Sequence, residues 1–132
     1  EGNWMIQAQQ NKYLASVVQT ATPAQLVLML CDGAIRFCKL GIKSLEESNN
    51  EAATINFRKV QDIISEFAIT LNREAPIAES LLKLYEYFKF RLSESVSKHI
   101  VEPAQEVLGY LIELKETWMQ AAKLSTAQIS HG

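Results

Sequence analysis

The stretch that decides the fold is TPAQLVLMLCDGAIRFCKLGIKSLEE, residues 22–47. It opens on a helix start signal, because Thr22 can accept hydrogen bonds from unpaired backbone N–H groups and Pro23 suits the first helical position. Gln25 follows Thr22 by three residues and completes a capping box. The polar positions recur every three or four residues and form one narrow stripe: Gln25, Asp32, Arg36, Lys39, Lys43 and Glu46. This pattern predicts a helix from Pro23 to about Glu47 that is apolar over most of its surface.

Three further helical segments follow, separated by a few turn-forming residues each. Their start signals are a second capping box at Ser48 and Glu51, the pair Ala75-Pro76, and the pair Glu102-Pro103. The expected spans are Glu51–Asn72, Pro76–Lys98, and Glu102 to about Lys123. The apolar stripes are Ile55, Phe57, Val60, Ile63, Ile64, Phe67 and Leu71 in helix two, Leu81, Tyr85, Phe88, Leu92 and Val96 in helix three, and Val107, Leu111, Leu114, Trp118 and Ala121 in helix four.

Short connections require consecutive helices to fold back on each other. We therefore expect an all-α, antiparallel, up-down-up-down four-helix bundle, with residues 22–124 as its body. Residues 1–21 are apolar enough to pack on the bundle as an N-terminal extension, and residues 125–132 are interpreted as a tail. The chain has 132 residues, of which 48% are hydrophobic and 21% charged, and this fits a single domain.

Charge and hydropathy narrow the range of partners and locations. The formal net charge of −2 provides no basic field to attract a nucleic acid or an anionic membrane surface. The longest fully apolar run, Leu26–Cys31, is far shorter than a membrane span, and the first residues show no signal-peptide pattern. Cys31 and Cys38 lie about 10.5 Å apart along one helix, too far for a disulfide. This favours free thiols and a cytoplasmic location.

Groups suited to catalysis or metal binding are sparse. Neither histidine, His99 or His131, follows a Glu by three residues as a di-iron bundle requires, and neither clusters with thiols as zinc requires. Cys31 or Cys38 with His99 is a conceivable nucleophile pair, but a thiol on an apolar helical face is typically inert. His99 stands at the expected end of helix three, whereas a phosphotransfer histidine needs an exposed mid-helix position. The sequence therefore predicts no catalytic residue, no metal ligand and no cofactor.

Helix one has more apolar surface than the core of a bundle needs. Between Leu26 and Leu45, 13 of 20 positions are apolar, against about 9 in a pattern with three core positions per heptad. Further apolar residues off the core stripes are Leu84, Tyr87, Phe90 and Tyr110. A helix that is apolar nearly all round must be covered on more than one side. This surface is covered by the N-terminal segment, by another polypeptide, or by the N-terminal segment until another polypeptide replaces it.

Three residues of helix one leave alternatives open. Gly33 and Gly41 each cost about 1 kcal/mol relative to alanine inside a helix, which is typical of a close helix crossing. The crossing neighbour is either another helix of the bundle or a bound partner helix. Asp32 lies on the polar stripe, where it either orients a partner backbone or faces solvent.

Short motifs at fixed spacing surround helix one. They are Tyr13, Val18, Thr20-Ala21-Thr22-Pro23, Gln25-Leu26, Met29-Leu30, Asp32-Gly33-Ala34 and Phe37. Later motifs are Leu71-Asn72-Arg73, Tyr85-Glu86-Tyr87, Arg91-Leu92 and Trp118. In this order the motifs resemble the flagellar secretion chaperones of the FliS family, over roughly Tyr13 to Gln120. One departure is Cys31, where that family usually has a tyrosine.

The resemblance implies a cytoplasmic chaperone that is not an enzyme and uses no nucleotide. Its implied partner is the disordered C-terminal segment of flagellin, held before export so that flagellin does not polymerise prematurely. The flagellar export apparatus is implied as a second partner. In the family the N-terminal segment packs near the binding region and moves when flagellin arrives, a role that falls here to Tyr13 and the residues around Val17 and Val18.

The excess apolar surface and the resemblance together identify the expected partner-binding residues. These are Tyr13, Val18, Leu26, Met29, Leu30, Asp32, Gly33, Ile35, Leu71, Asn72 and Tyr87. A disordered amphipathic segment would fold into short helices on such apolar grooves, gaining burial and losing conformational entropy. The alternative is a helical module without enzymatic activity that homo-oligomerises, if only weakly, through its excess apolar face.

Overall fold

The computed structural model describes residues 23–131 of the chain. This part of the chain contains four α-helices and no β-strand. They are α1 (Pro23–Glu46), α2 (Asn50–Thr70), α3 (Ala78–Lys98) and α4 (Glu102–His131). The prediction of an all-α four-helix fold is confirmed, and Pro23 is the first residue of α1 as expected. Side-chain environments are described for residues 24–120. The expected Thr22 cap and the N-terminal extension lie outside the described residues.

Side-chain contacts establish how neighbouring helices run. Cys38 on α1 contacts the carbonyl of Ala104 on α4, with 3.5 Å between sulfur and oxygen. Asp32, earlier on α1, pairs with Lys115, later on α4. The two helices therefore run in opposite directions. The other neighbouring helices show the same reversal in the pairs Gln61–Ser93, Phe67–Tyr85, Phe88–Tyr110 and Ser95–Ala104.

A single core fills the centre of the four helices, since α1 and α3 each pack against both α2 and α4. Its largest fully buried side chains are Phe57, Phe88, Ile64, Leu92 and Leu111, which all belong to the predicted apolar stripes. Ile55 was assigned to the same stripe as Phe57, but this assignment is wrong because Ile55 is 43% exposed. Residues two positions apart on a helix point to nearly opposite sides, so only one of the pair can enter the core.

The capping box predicted at Ser48 and Glu51 is wrong, as the three-residue link between α1 and α2 shows. Asn49, and not Ser48, caps α2, because its side-chain oxygen accepts a hydrogen bond from the Ala52 N–H at 3.1 Å. Ser48 instead ends α1 in the left-handed conformation, with φ of 60°. The Asn49 N–H then donates to the Ser44 carbonyl at 2.8 Å, the hydrogen bond of a Schellman motif.

The link between α3 and α4 is equally short and uses the same motif. His99 adopts φ of 56°, and the Ile100 N–H donates to the Ser95 carbonyl at 3.2 Å. The fully buried Ser95 hydroxyl accepts a hydrogen bond from the Ala104 N–H at 2.8 Å. A side chain of α3 thereby satisfies an unpaired N–H group at the start of α4. His99 is a helix-ending residue, as its expected position at the end of helix three implied.

The other connection is longer, and it shifts two of the predicted helix ends. α2 stops at Thr70, and Pro76 lies in a turn in which the Ala78 N–H donates to the Ala75 carbonyl at 3.0 Å. α3 therefore begins two residues later than expected. α4 continues to His131, well beyond the expected end, because residues 124–131 contain no glycine or proline that would stop a helix.

Candidate functional site

An apolar groove of about 450 Å³ opens at one end of the bundle. It lies where the beginning of α1, the end of α2, the beginning of α3 and the Trp118 region of α4 meet. Its lining residues are Ala24, Leu26, Val27, Leu30, Phe67, Thr70, Leu71, Asn72, Ala75, Ile77, Leu81, Tyr85 and Trp118. Apart from Thr70 and Asn72, these side chains are apolar or aromatic. Such a surface is suited to an apolar side-chain stripe of a partner rather than to a polar small molecule.

The groove exists because the beginning of α1 is apolar on too many sides. Residues 26–30 are five consecutive apolar positions, and a helix cannot turn all five toward one core. All five are only half-buried, whereas Cys31, Ala34 and Cys38 farther along α1 are fully buried. Three of these five residues, Leu26, Val27 and Leu30, line the groove, so the groove accounts for part of the surplus of apolar surface inferred from the sequence.

Four of the expected partner-binding residues lie together in this groove. They are Leu26 and Leu30 on α1, Leu71 at the end of α2, and Asn72 in the following link. Asn72 organises that link, because its side-chain oxygen accepts a hydrogen bond from the Glu74 N–H at 3.1 Å. Met29 and Ile35 are half-buried on α1 but do not line the groove. Tyr13 and Val18 lie outside the described residues.

Two other expected residues of α1 contact neighbouring helices of the bundle. The Asp32 carboxylate forms an ion pair with Lys115 on α4, with 2.6 Å between oxygen and nitrogen. A β-carbon added at Gly33 would lie 3.3 Å from Ile63 Cδ1 on α2. Gly33 is therefore a crossing point between α1 and α2, which is the first of the two explanations that the sequence left open.

Tyr87 lies away from the groove, on the side of α3 that faces α4. Its hydroxyl donates to Glu106 at 2.5 Å, and the same carboxylate accepts from Arg91 at 3.1 Å. These two hydrogen bonds, the one from Tyr87 foremost, hold the pKa of Glu106 below its usual range. Arg91 also binds Glu94, so a polar network connects α3 with α4.

The sequence profile of the family described as "Flagellar protein FliS" matches residues 5–125. This chain belongs to the FliS family. The flagellar secretion chaperone FliS of Bacillus subtilis is 35% identical over 126 residues, which are 93% of this chain and 94% of that relative. The FliS chaperone of Salmonella typhimurium is 29% identical over 118 residues, 87% of each chain. That of Escherichia coli is 24% identical over 109 residues, 80% of each.

The FliS match spans the whole groove, including lining residues that were not assigned to the site from the sequence. These are chiefly Val27, Phe67, Ile77, Leu81, Tyr85 and Trp118. Trp118 was placed on the stripe of helix four and among the FliS motifs. The reversed direction of α1 and α4 brings the end of that stripe level with the first turns of α1. Knowledge of the register between the two helices would have added Trp118 to the expected site.

Chemically reactive groups in this FliS chain are few among the described residues. No cluster of three His, Cys, Asp or Glu side chains within residues 24–120 is arranged to hold a metal ion. None of the described helices combines the length and apolar content needed to cross a bilayer. Both cysteines are free, as predicted, and both are buried. Burial raises the pKa of the Cys31 thiol to about 11 and that of Cys38 to about 12, so both stay protonated near neutral pH.

Stability of the bundle is expected to decline as the pH rises above about 9, because of these two thiols. In the unfolded chain they ionise near the ordinary pKa of 9.0, whereas in the folded chain they keep their protons up to about 11 and about 12. Between these values the unfolded chain binds fewer protons, so the free energy of unfolding falls with pH. Urea unfolding of the wild type and of a C31A/C38A variant, from about pH 8 to about pH 11, measures the effect. A decline equally steep in both proteins would exclude the thiols as its cause.

Proposed function

We propose that this protein is a flagellar export chaperone that binds the disordered C-terminal segment of flagellin in the apolar groove. The observation that carries the proposal is the groove itself, about 450 Å³ of apolar-lined space in a member of the FliS family. The named FliS relatives are flagellar secretion chaperones, which supports a substrate from the flagellum.

The shape and chemistry of the groove favour a helix with one apolar stripe. Leucine, isoleucine and aromatic side chains offer burial to such a stripe, and the gain is about 25 cal/mol for each Å² of apolar surface removed from water. At the mouth, Ile77 is 60% exposed although it lines the groove. A helix bound in the groove would bury this side chain.

Binding a disordered segment suits the task of an export chaperone. The segment must lose conformational entropy when it folds on the groove, so its affinity stays moderate for the surface it buries. Release for export then requires no covalent step and no nucleotide. While bound, the segment has its apolar stripe covered, and this prevents the flagellin–flagellin contacts that the stripe would make.

The N-terminal segment is proposed to act at the same site. It joins α1 at Pro23, immediately before Ala24, which lines the groove. Because of this attachment point, residues 1–21 can reach the groove without a long connection. We propose that they pack near the groove and move when flagellin binds.

Titration with a synthetic flagellin C-terminal peptide tests the function. We expect one peptide to bind per chain, with a gain of helix in far-ultraviolet circular dichroism. Hydrogen exchange should slow at residues 24–30 and 67–81 on binding. A peptide that binds without any gain of helix, or that leaves exchange at these residues unchanged, would contradict the proposal.

The variant Ile77→Asp is expected to weaken peptide binding by about tenfold or more, since burying the isoleucine side chain is worth about 1.5–3 kcal/mol. Stability should change by less than about 0.5 kcal/mol, because the side chain is exposed and the carboxylate suits the beginning of α3. Isothermal titration calorimetry measures the affinity. Ile55→Asp is the matched control, as Ile55 is an exposed isoleucine of α2 at the other end of the bundle. Equal affinities of the two variants would remove Ile77 from the binding surface.

A further inference from the structure

The lysines and arginines of the four helices differ in whether a carboxylate neutralises them. Every lysine and arginine of α3, and Lys115 of α4, forms an ion pair. Among residues 24–120, no ion pair includes a cation of α1 or α2. These cations are Arg36, Lys39, Lys43, Arg58 and Lys59. The positive charge without a carboxylate partner in this part of the chain therefore lies on the side of the bundle formed by α1 and α2.

These five cations are also separated from the acidic residues of their own helices. They all belong to residues 33–45 of α1 and 52–61 of α2, two stretches that contain no aspartate or glutamate. The stretches lie side by side, since Gly41 of α1 meets the Phe57 ring of α2. The acidic residues beyond their ends are Asp32, Glu46, Glu47, Glu51, Asp62 and Glu66. The result is a positive region about 18 Å long, bounded by negative charge at both ends.

Two of the cations share one aromatic ring within this region. The guanidinium carbon of Arg36 lies 4.8 Å from the centroid of the half-buried Phe37 ring, and the Lys59 ammonium lies 5.0 Å from it. The two positive charges are therefore at most about 10 Å apart, within the Debye length at physiological salt or close to it. The ring attracts both cations and holds them in place. An anion that approaches this ring is attracted by both of them.

Apolar side chains are exposed beside the two cations. Leu40, one turn beyond Arg36 on α1, is 40% exposed, and Ile55, one turn before Lys59 on α2, is 43% exposed. Because α1 and α2 run in opposite directions, Leu40 and Ile55 lie toward the same end of the helix pair. We call the surface formed by Arg36, Phe37, Leu40, Ile55 and Lys59 the basic seam. An apolar centre with charged groups around it has the composition of a protein interface.

We propose that the basic seam binds an acidic amphipathic segment of a second protein, about three helical turns long. Carboxylates of the segment pair with Arg36 and Lys59, and its apolar side chains pack on Leu40 and Ile55. The chain itself offers no such segment, since residues 1–22 and 121–132 contain a single acidic residue, Glu1. The negative charges at both ends of the positive region repel a long polyanion, so a short acidic segment fits better than a nucleic acid or an anionic bilayer.

The basic seam is separate from the groove and does not depend on the proposed function. None of its five residues lines the groove, whose α1 residues are Ala24, Leu26, Val27 and Leu30. The chain can therefore hold flagellin in the groove and the acidic segment on the seam at the same time. Loss of binding at one surface would leave the other intact, so the two proposals can fail independently.

Fluorescence anisotropy with two labelled peptides tests the basic seam. The glutamate probe has about 12 residues, with glutamates and leucines at helical spacing, and the glutamine probe has glutamine in place of each glutamate. At low salt we expect the glutamate probe to bind about tenfold more tightly, because only its carboxylates can pair with Arg36 and Lys59. The preference should shrink in about 0.5 M salt, which screens exposed charges. Equal binding of the two probes at low salt would overturn the proposal.

Charge reversal tests where the glutamate probe binds. Arg36→Glu and Lys59→Glu should each weaken its binding by about fivefold or more, since an attraction becomes a repulsion. Lys83→Glu makes the same change in net charge on α3, where Lys83 forms only an exposed ion pair with Glu79. This control should change the affinity by less than about twofold. Effects at Lys83 as large as those at Arg36 and Lys59 would overturn the location.

Two aspartate variants separate the basic seam from the groove. Ile55→Asp should weaken binding of the glutamate probe, whereas Ile77→Asp should leave it unchanged. Weakening by Ile77→Asp alone would place the probe in the groove and overturn the proposal. Labelled oligouridine and vesicles that contain phosphatidylserine serve as other polyanions. If either bound the wild type more tightly than the glutamate probe does, the assignment of the seam to a protein segment would be overturned.

Discussion

Replacing Gly41 with alanine is expected to destabilise the bundle by about 2 kcal/mol or more, although alanine alone favours a helix by about 1 kcal/mol. Gly41 is buried where α1 crosses α2, and a β-carbon there would overlap three atoms of the Phe57 ring. Phe57 is itself buried in the core, so its ring cannot move without giving up contacts there. Either the ring is displaced or the two helices separate, and packing is lost at the crossing in both cases. Urea unfolding monitored by circular dichroism measures the loss.

The same substitution at Gly109 provides the control, and its effect should have the opposite sign. Gly109 is exposed on α4, and no atom lies within 4 Å of a β-carbon built there. Gly109→Ala should therefore stabilise the protein by about 1 kcal/mol through helix propensity alone. If Gly41→Ala proved as stable as Gly109→Ala, the close approach of α1 and α2 at Phe57 would be refuted.

Replacing Trp118 with alanine is expected to weaken flagellin-peptide binding by about 100-fold, as large aromatic residues at the centre of an interface often contribute 2–4 kcal/mol. Trp118 is half-buried, packs against the core and lines the groove beside the side chains of α1. It offers the largest apolar side chain in the lining, so its loss removes more contact with a bound helix than any other truncation there.

Met119→Ala separates this effect from a general change in α4. Met119 is the next residue along the helix, is exposed and does not line the groove. We expect the Met119→Ala variant to bind the peptide as tightly as the wild type does. Calorimetric titration of both variants, with their unfolding measured in parallel, makes the comparison. Unchanged affinity in a folded Trp118→Ala variant would exclude α4 from the binding surface.

Most of the fold could be predicted because the helical pattern is strong and local. Pro23 begins α1, and the apolar stripes identify the core side of every helix, with Ile55 as the error. The ends of helices were harder to predict. Ser48 and Asn49 are both good N-caps, and the choice between them depends on how α1 terminates, since the left-handed turn uses Ser48. α4 was expected to end near Lys123 because residues 125–132 were interpreted as a tail, but residues 124–131 contain no helix breaker and the helix continues.

The candidate site could be predicted only in part. Leu26 and Leu30 were found because the beginning of α1 is too apolar for one core. Trp118 and Tyr85 come from helices distant in sequence, and their place in the groove depends on interhelical register, which no local pattern encodes. The same is true of the ion pair between Asp32 and Lys115. Ile77 lies in a turn, where the helical period does not apply.

The two ends of the bundle differ in how firmly they are closed. Both three-residue links, 47–49 and 99–101, lie at one end, where the Ser95 hydroxyl and the Cys38 thiol each bind backbone groups of Ala104. The groove lies at the other end, where the longer link 71–77 is the connection between helices that the structure describes. The end with the two short links therefore stays closed, whereas the helices can separate at the groove end. We expect the entry and release of a partner to change only the few helical turns next to the groove.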